Sequence, residues 1–164
     1  MTDVRDKCDL TVGGIVLCGD TVLLVRHRYG PTQGRWDFPR GYVRADEDLE
    51  AAVMREVTEE TGVKARPVRI VAVRNQMRAV PGVGWRNDVL IVWLLHYLSG
   101  DPTPDGGEVS ETAFLGLDEA ADASEVTSWT RDLLRAVPFR SGLVESDYRP
   151  RRLPDGVTYW KCFE

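Results

Sequence analysis

The stretch from Gly41 to Val63, GYVRADEDLEAAVMREVTEETGV, places several acidic side chains on what the pattern predicts to be one short helix. Glu56, Glu59 and Glu60 fall within five consecutive positions. Carboxylates four residues apart on a helix repel each other by about 0.2–0.5 kcal/mol per pair, so this cluster needs a positive charge nearby. Hard divalent cations bind carboxylate oxygens. The stretch therefore predicts a site for a divalent metal ion.

The helix itself is predicted to run from about Leu49 to Thr61. Asp46 or Asp48 can cap its first turn, and Gly62 stands where a left-handed C-terminal cap belongs. At about 100° per residue, the three glutamates share one arc of the helix. The adjoining arc is apolar and carries Leu49, Val53, Met54 and Val57. We therefore expect one stripe of the helix to pack on the core, with the carboxylates along the edge of that stripe.

The rest of the chain predicts a mixed sheet between helices. Apolar and β-branched runs predict strands at Leu10–Leu17, Thr21–Arg26, Trp36–Phe38, Val68–Met77, Val89–Leu98 and Glu111–Leu117. A second helix is predicted over Glu125–Val137, capped by Ser124, with Trp129 in the core. Loops are predicted at Pro81–Asp88 and Ser99–Gly107, the latter mobile. This order of elements predicts an α/β or α+β sandwich.

Composition sets limits on the location and partners of the chain. At 164 residues, 43% hydrophobic and 29% charged, it is expected to form one soluble domain. The longest apolar run, Val89–Leu95, is too short to span a bilayer, and the first ten residues lack the pattern of a signal peptide. Its three cysteines show no CxxC spacing and predict free thiols, hence a cytoplasmic location. A net charge of −5 disfavours a broad grip on duplex nucleic acid.

Written as a pattern, the stretch is G-x5-E-x7-R-E-V-x-E-E-x-G-V, which resembles the signature of the Nudix hydrolase family at every defining position. We call residues Gly41–Val63 the box. The resemblance extends from about Thr11 to Val137 and implies a Nudix domain over residues 1–140 with the α/β/α sandwich of the family. Residues 141–164 lie outside it and are expected to form a C-terminal extension. Its aromatic residues suggest packing on the domain or on a second subunit, which leaves a homodimer possible.

The resemblance also implies a reaction. It predicts hydrolysis of a nucleoside diphosphate linked to another group, with Mg²⁺ or Mn²⁺ as the cofactor. Such cations neutralise phosphate charge and activate water. The substrate class stays open between a nucleoside triphosphate, a dinucleoside polyphosphate and a nucleotide sugar.

Roles within the box follow from the resemblance residue by residue. Glu56 and Glu60 are the leading metal ligands, and Glu59 is a third ligand or the catalytic base. The carbonyl group of Gly41 resembles the backbone ligand that members of the family supply. Arg55 is expected to orient these ligands through ion pairs, together with Glu47.

The general base differs among family members, some of which use a glutamate on a distant loop. Glu108 and Glu111 follow the glycine-rich PDGG segment, where such a residue is expected. We favour Glu108, because the preceding loop can deliver it to the metal site. Glu59 within the box remains the alternative.

Substrate recognition is expected to come from residues outside the signature. Arg28, Arg40 and Arg78 are candidates to grip phosphates, and Trp85 is a candidate to stack on a base. Arg40 replaces the glycine of the usual Pro-Gly-Gly lead-in, and a basic or amide residue there resembles the members that act on polyphosphates and RNA 5′ ends. Arg78 stands where hydrolases of ADP-ribose carry a proline. The substrate is therefore left open.

Two functions compete on the sequence alone. The first is an active metal-dependent pyrophosphohydrolase, and the second is a Nudix-fold module that binds a nucleotide or a partner without turnover. Because such modules usually lose box carboxylates and this box is intact, the enzyme is the favoured hypothesis.

Overall fold

The structure is a computed structural model that describes residues 7–137 and 157–163. Most of the predicted C-terminal extension, 141–164, lies outside these residues, and of it only the backbone of 157–163 is described.

The described chain forms eight strands and three helices. The strands are β1 (Lys7–Cys18), β2 (Thr21–His27), β3 (Trp36–Asp37), β4 (Arg40–Tyr42), β5 (Lys64–Val80), β6 (Gly84–Ser99), β7 (Val109–Gly116) and β8 (Val157–Phe163). The helices are α1 (Leu49–Thr61), α2 (Leu117–Asp122) and α3 (Ser128–Ala136).

All eight strands belong to one mixed sheet in the order β3-β2-β1-β6-β5-β8, with β4 paired to β1 and β7 paired to β2. The pairing of β1 with β6 is parallel, and the other pairings are antiparallel. The strand β8 pairs with β5 between Val73 and Arg78, so this part of the C-terminal extension contacts the domain of its own chain through the backbone.

Both faces of the sheet are covered, which confirms the predicted sandwich of helices around a mixed sheet. One core lies between the sheet and α3, where Phe38, Leu90, Trp129 and Leu133 are buried. The other lies between the sheet and α1, where Val12, Val53 and Val57 are buried. Trp129 is 6% exposed, which confirms its prediction as a core residue.

The helix α1 lies very close to the sheet because β1 carries glycine beneath it. A Cβ atom on Gly14 would stand 2.8 Å from Leu95 Cδ1 and 2.9 Å from Val57 Cγ2. Real Cβ contacts are essentially never this short, so only glycine permits this packing distance. The predicted bounds of α1 and its apolar stripe are confirmed, except that Met54 is 38% exposed instead of buried.

The predicted loop over Pro81–Asp88 is wrong. The ladder between β5 and β6 continues to the pair Val80 and Gly84, and only residues 81–83 form the turn, closed by a 3.0 Å hydrogen bond from Val83 N–H to the Val80 carbonyl. The glycines and the proline led to the prediction of a loop because they do mark a turn. Cross-strand pairing, however, begins immediately after that turn.

The second predicted helix is shorter than expected and is preceded by one that the sequence did not predict. It starts at Ser128 with Thr127 as its N-cap instead of Ser124. The backbone just before this helix pairs with the backbone of Trp36. Trp36 N–H donates to the Glu125 carbonyl, and Thr127 N–H donates to the Trp36 carbonyl, both at 2.9 Å. The helix α2 has six residues and no side-chain cap, so its sequence carries little helical signal.

Among the described residues, none of the helices is long and apolar enough to cross a membrane.

Candidate active site

The carboxylates of α1 are positioned by caps at both ends of the helix. The Asp48 carboxylate accepts a 2.8 Å hydrogen bond from Ala51 N–H at the N-terminus. Gly62 adopts φ 70° at the C-terminus and donates to the Thr58 carbonyl. These caps fix where the helix starts and ends, and its apolar stripe sets which side of it faces the sheet.

Glu60 lies at the buried end of this carboxylate edge. It is 4% exposed, and its Oε2 accepts a 3.1 Å hydrogen bond from the backbone N–H of Arg40. Burial raises the pKa of the Glu60 carboxyl to about 8, and the nearby charges of Glu56 and Glu108 add to this effect. A carboxyl group in such a place is costly to ionise without a cation.

Glu56 is the neighbour of Glu60 one turn earlier and packs directly against the box glycine. Its side chain is 13% exposed, and a Cβ atom on Gly41 would overlap its carboxyl group. Burial raises the pKa of the Glu56 carboxyl, although the ion pair with Arg55 opposes this shift. Gly41 is therefore needed at this position for close approach of the carboxylate to the β4 backbone.

Arg55 is the centre of the ion-pair network around the box. Its guanidinium donates to Glu47 from Nε at 2.8 Å and from Nη2 at 2.6 Å, and to the Tyr42 carbonyl at 2.9 Å. Its Nη1 donates to Glu56 at 2.6 Å and to Glu59 at 3.0 Å. The hydrogen bond from Arg55 lowers the pKa of the Glu47 carboxyl to about 2, and these partners raise the pKa of Arg55.

Glu59 is the most exposed of the three box glutamates. Its side chain is 50% exposed and accepts hydrogen bonds from Arg55 and, at 3.2 and 3.5 Å, from Nη2 of Arg44. The Arg44 side chain is itself 57% exposed. Glu59 thus has two guanidinium partners, of which Arg55 is the less exposed, at 16%.

Glu108 reaches the same region from the loop between β6 and β7. The side chain of Asp105 organises this loop, because it accepts hydrogen bonds from the N–H groups of Gly107, Glu108 and Val109 at 2.9, 3.3 and 2.9 Å. The start of the loop is tied to α1 by a 2.8 Å hydrogen bond from Thr103 N–H to the Thr61 carbonyl. These hydrogen bonds anchor the loop at both ends, and the mobility that its composition predicts stays a prediction.

These groups surround one cavity of about 710 Å³. Eight of the predicted site residues line it, namely Arg40, Gly41, Arg55, Glu56, Glu59, Glu60, Arg78 and Glu108. Arg28 and Trp85 do not line it, and Trp85 is 49% exposed near the tip of the β5–β6 hairpin. The alternative base Glu111 also lies outside it and forms a 3.4 Å ion pair with Arg26.

Several cavity residues had no signal in the sequence. His27 at the end of β2 is 9% exposed, and its Nε2 has no hydrogen-bond partner among the described residues. Burial and the charge of Arg40 lower the pKa of the His27 imidazole. Gln76, Asp88 and Asp105 also line the cavity. They come from three separate segments, so only the fold brings them together.

Arg40 is held over the cavity by a buried carboxylate. Asp37 is 2% exposed and forms a 3.3 Å ion pair with Nη2 of Arg40. Its other oxygen accepts hydrogen bonds from Phe38 N–H at 2.9 Å and from the Thr130 hydroxyl at 2.5 Å. The orientation of Arg40 therefore depends on α3, which the sequence did not connect with the site.

The donor set fits a hard divalent cation in its chemistry, with two carboxyl groups whose pKa is raised by burial and a third beside them. Among the described residues, however, no three Asp, Glu, His or Cys side chains stand close enough together to hold a metal ion as they are placed. Glu56 and Glu59 instead form ion pairs with Arg55 and Arg44. To bind a cation, these two glutamates would have to give up their ion pairs with arginine and contact the metal instead.

Comparison with known proteins gives consistent matches. A family model described as NUDIX domain matches residues 9–137. An RNA pyrophosphohydrolase of Sodalis glossinidius is 45% identical over 67 residues, which are 40% of this chain and 37% of that protein. An RNA pyrophosphohydrolase of Klebsiella pneumoniae is 31% identical over 160 residues, covering 86% of this chain and 90% of that protein.

The fold agrees with these matches. The crystal structure of a MutT NUDIX hydrolase from Burkholderia pseudomallei superimposes with a TM-score of 0.67 at 26% identity, covering 80% of this chain and 99% of that chain. The chain spans between 37% and 62% of the length of four of the curated relatives that it matches. With an intact box, a matching family model and this fold, the chain belongs to the NUDIX family.

Proposed function

We propose that the protein is a metal-dependent pyrophosphohydrolase that cleaves a phosphoanhydride bond in a nucleoside diphosphate linked to another moiety. The observation that carries this proposal is the environment of Glu60. Its carboxyl group is 4% exposed and lies near Glu56, and it forms no ion pair with the described residues. The charge of Arg40 only partly offsets the effect of burial on the pKa of Glu60. A structural role explains such a buried acid poorly, whereas a metal ligand that is ionised only with its cation explains it well.

The residues that would hold Mg²⁺ or Mn²⁺ are Glu56, Glu59, Glu60 and the carbonyl group of Gly41. When bound, such a cation neutralises phosphate charge and makes water a better nucleophile. Arg55 acts on the same side chains, because it fixes Glu47 and contacts both Glu56 and Glu59. Its role is to orient the ligands and to limit their mutual repulsion.

Glu108 is the proposed general base. It lines the same cavity and is close enough to raise the pKa of Glu60. Glu59 is less suited to this role, because hydrogen bonds from Arg44 and Arg55 occupy both of its oxygens. The hydrogen bonds of Asp105 fix the backbone from which the Glu108 side chain extends.

The substrate is proposed to be a nucleoside triphosphate, a dinucleoside polyphosphate, a nucleotide sugar or the phosphorylated 5′ end of an RNA. Arg40 and Arg78 line the cavity and are proposed to grip phosphates. Arg28 and Trp85 remain predicted contacts that would require a substrate to extend beyond the cavity. Duplex nucleic acid is not a proposed partner, since the chain carries a net charge of −5.

Two further parts of the proposal concern the context of the protein. A cytoplasmic location is supported by Cys8 and Cys18, which are free thiols on the surface. A homodimer remains proposed, and mass measurement in solution with and without residues 141–164 tests it. An unchanged oligomeric state would exclude a role of the extension in dimer formation.

The test of the function is a panel of nucleotides incubated with the protein in Mg²⁺, in Mn²⁺ or in EDTA. We expect release of monophosphate or pyrophosphate from at least one substrate with metal and none in EDTA. Glu60→Gln should keep the fold and lower turnover by at least 100-fold. Glu50→Gln is the matched control, because Glu50 is an exposed acid on the same helix outside the cavity.

A binding module without turnover is the second candidate, and one observation favours it. Glu56 and Glu59 already have guanidinium partners, so the described carboxylates are not arranged around a cation. Tight nucleotide binding with no turnover across the whole panel would establish this alternative. Near-normal turnover of Glu60→Gln would instead remove Glu60 from the metal site.

A further inference from the structure

The cavity is lined by residues of the sheet as well as by the carboxylates of the box. Arg74, Gln76 and Arg78 on β5 line this part, together with Asp88 on β6. We call these four residues the sheet-face row. Alternate residues of a strand point to the same face, and four residues of strand span about 13 Å. The row therefore offers a long stretch of cavity wall for contact with a substrate.

The register of the strands shows which face the row occupies. Arg74 pairs with Leu90, which is buried in the core beneath α3, and its guanidinium lies 5.1 Å from the ring of Trp129. Gln76 pairs with Asp88 farther along the same ladder. The row thus begins at the edge of the core under α3 and continues along the wall of the cavity.

Asp88 arranges the two side chains next to it. Its Oδ2 accepts a 3.3 Å hydrogen bond from Nε2 of Gln76 and lies 4.0 Å from Nε of Arg78. Nε of Arg78 is buried and has no hydrogen-bond partner among the described residues. The Arg78 side chain as a whole is 39% exposed and lines the cavity, so its guanidinium can meet an anionic oxygen there.

The other arginines near the box are engaged. Arg55 is bound by Glu47, Glu56 and Glu59, and Arg40 by Asp37. Arg78 differs from them because its ion pair is long and its side chain is 39% exposed. A phosphate oxygen would give this guanidinium a charged acceptor, and such a contact is about twice as strong as one to the neutral oxygen of a sugar or base.

We propose that the sheet-face row binds a phosphate group of the substrate beyond the two that the scissile bond joins. The protein then prefers substrates with three or more phosphates over those with two. This inference rests on the proposed function, because it places the scissile pair of phosphates at the box carboxylates. The row supplies the contacts that distinguish one substrate class from another.

The test compares three substrates of increasing phosphate number: ADP-ribose, ATP and diadenosine tetraphosphate. Wild-type protein should show a higher kcat/KM for ATP or the tetraphosphate than for ADP-ribose. Arg78→Ala should raise KM at least tenfold for ATP and the tetraphosphate and less than twofold for ADP-ribose. Arg86→Ala is the matched control, because Arg86 pairs with Arg78 across the ladder, does not line the cavity and forms an ion pair with Asp9. Arg86→Ala should leave the KM for each of the three substrates within twofold of the wild-type value.

Binding without turnover separates this inference from the proposed function. A non-hydrolysable triphosphate analogue should bind Arg78→Ala at least tenfold more weakly than wild type in calorimetry, even if no substrate is turned over. Arg78→Lys should recover part of the affinity. Equal losses for ADP-ribose and ATP, or a wild-type preference for ADP-ribose, would overturn the inference.

Discussion

The guanidinium of Arg55 holds the carboxylate of Glu47 through two parallel hydrogen bonds of 2.8 and 2.6 Å. This paired geometry is the strongest form of an arginine–carboxylate contact. It joins the segment before α1 to the middle of the helix, and the same arginine contacts Glu56 and Glu59. The position of the box carboxylates therefore depends on a residue that is not itself a proposed ligand.

Glu47→Gln should destabilise the protein in a way that depends on pH. The folded-state pKa of Glu47 is lowered from 4.5 to about 2, so its contribution to stability is present above pH 4.5 and is lost as the pH falls toward 2. We expect the difference in free energy of unfolding between wild type and variant to shrink over this range. Urea titrations at a series of pH values measure it, and a constant difference would contradict the assignment.

Glu60→Gln should stabilise the metal-free protein at alkaline pH. The folded-state pKa of Glu60 is raised to about 8, so the wild-type contribution is fully present below pH 4.5 and is lost as the pH rises through 8. In EDTA at pH 9 the variant should be more stable by on the order of 2–4 kcal/mol, with little difference at pH 4. Excess Mg²⁺ should stabilise wild type more than the variant. A variant that is less stable than wild type at pH 9 would contradict the prediction.

Arg44→Ala should strengthen metal binding by the free protein. Arg44 shares Glu59 with Arg55 through a half-exposed ion pair, and such pairs contribute about 0.2–1 kcal/mol. Removing this competitor should lower the Kd for Mn²⁺ by about two- to fivefold in calorimetry. Arg66→Ala, which removes the same charge from an exposed position on β5, serves as the control. Weaker metal binding by Arg44→Ala would mean that Arg44 positions Glu59 instead of competing for it.

Gly41→Ala should damage the site more than the fold. The added Cβ would overlap the carboxyl group of Glu56 and displace it. We expect a loss of about 1–3 kcal/mol in stability and a turnover at least tenfold lower. Gly116→Ala is the control, since its nearest neighbour would be 3.7 Å away. Normal turnover of Gly41→Ala would show that Glu56 can move without consequence.

The sequence predicted α1 to the residue because every local signal agreed there. Asp48, the apolar stripe and Gly62 all act within a few positions of the helix that they define. The prediction for the hairpin of β5 and β6 was wrong because its strands depend on distant pairing and not on local signals. Trp85 and Arg86 sit beside glycines that mark a turn, but their strand character comes from pairing with Ala79 and Arg78 across the ladder.

The residues of the site likewise fall into those that local spacing predicts and those that only the fold brings together. The box residues were found because their spacing follows one helix, whereas His27, Gln76 and Asp105 come from separate segments and meet only in the folded cavity. The buried link from Thr130 through Asp37 to Arg40 spans 93 residues of sequence. A single sequence carries no pattern for such a contact.

The parallel pairing of β1 with β6 has a consequence for how quickly the protein can assemble. Thr11 bonds to the carbonyl of Val89, 78 residues away, so the chain must close a long loop before this ladder forms. Contacts of such wide sequence separation slow folding, because the entropy of closure is lost before the contact is gained. Since β1 and β6 join the α1 half of the cavity to the β5 half, we expect a newly made chain to acquire its helices first and its complete cavity last.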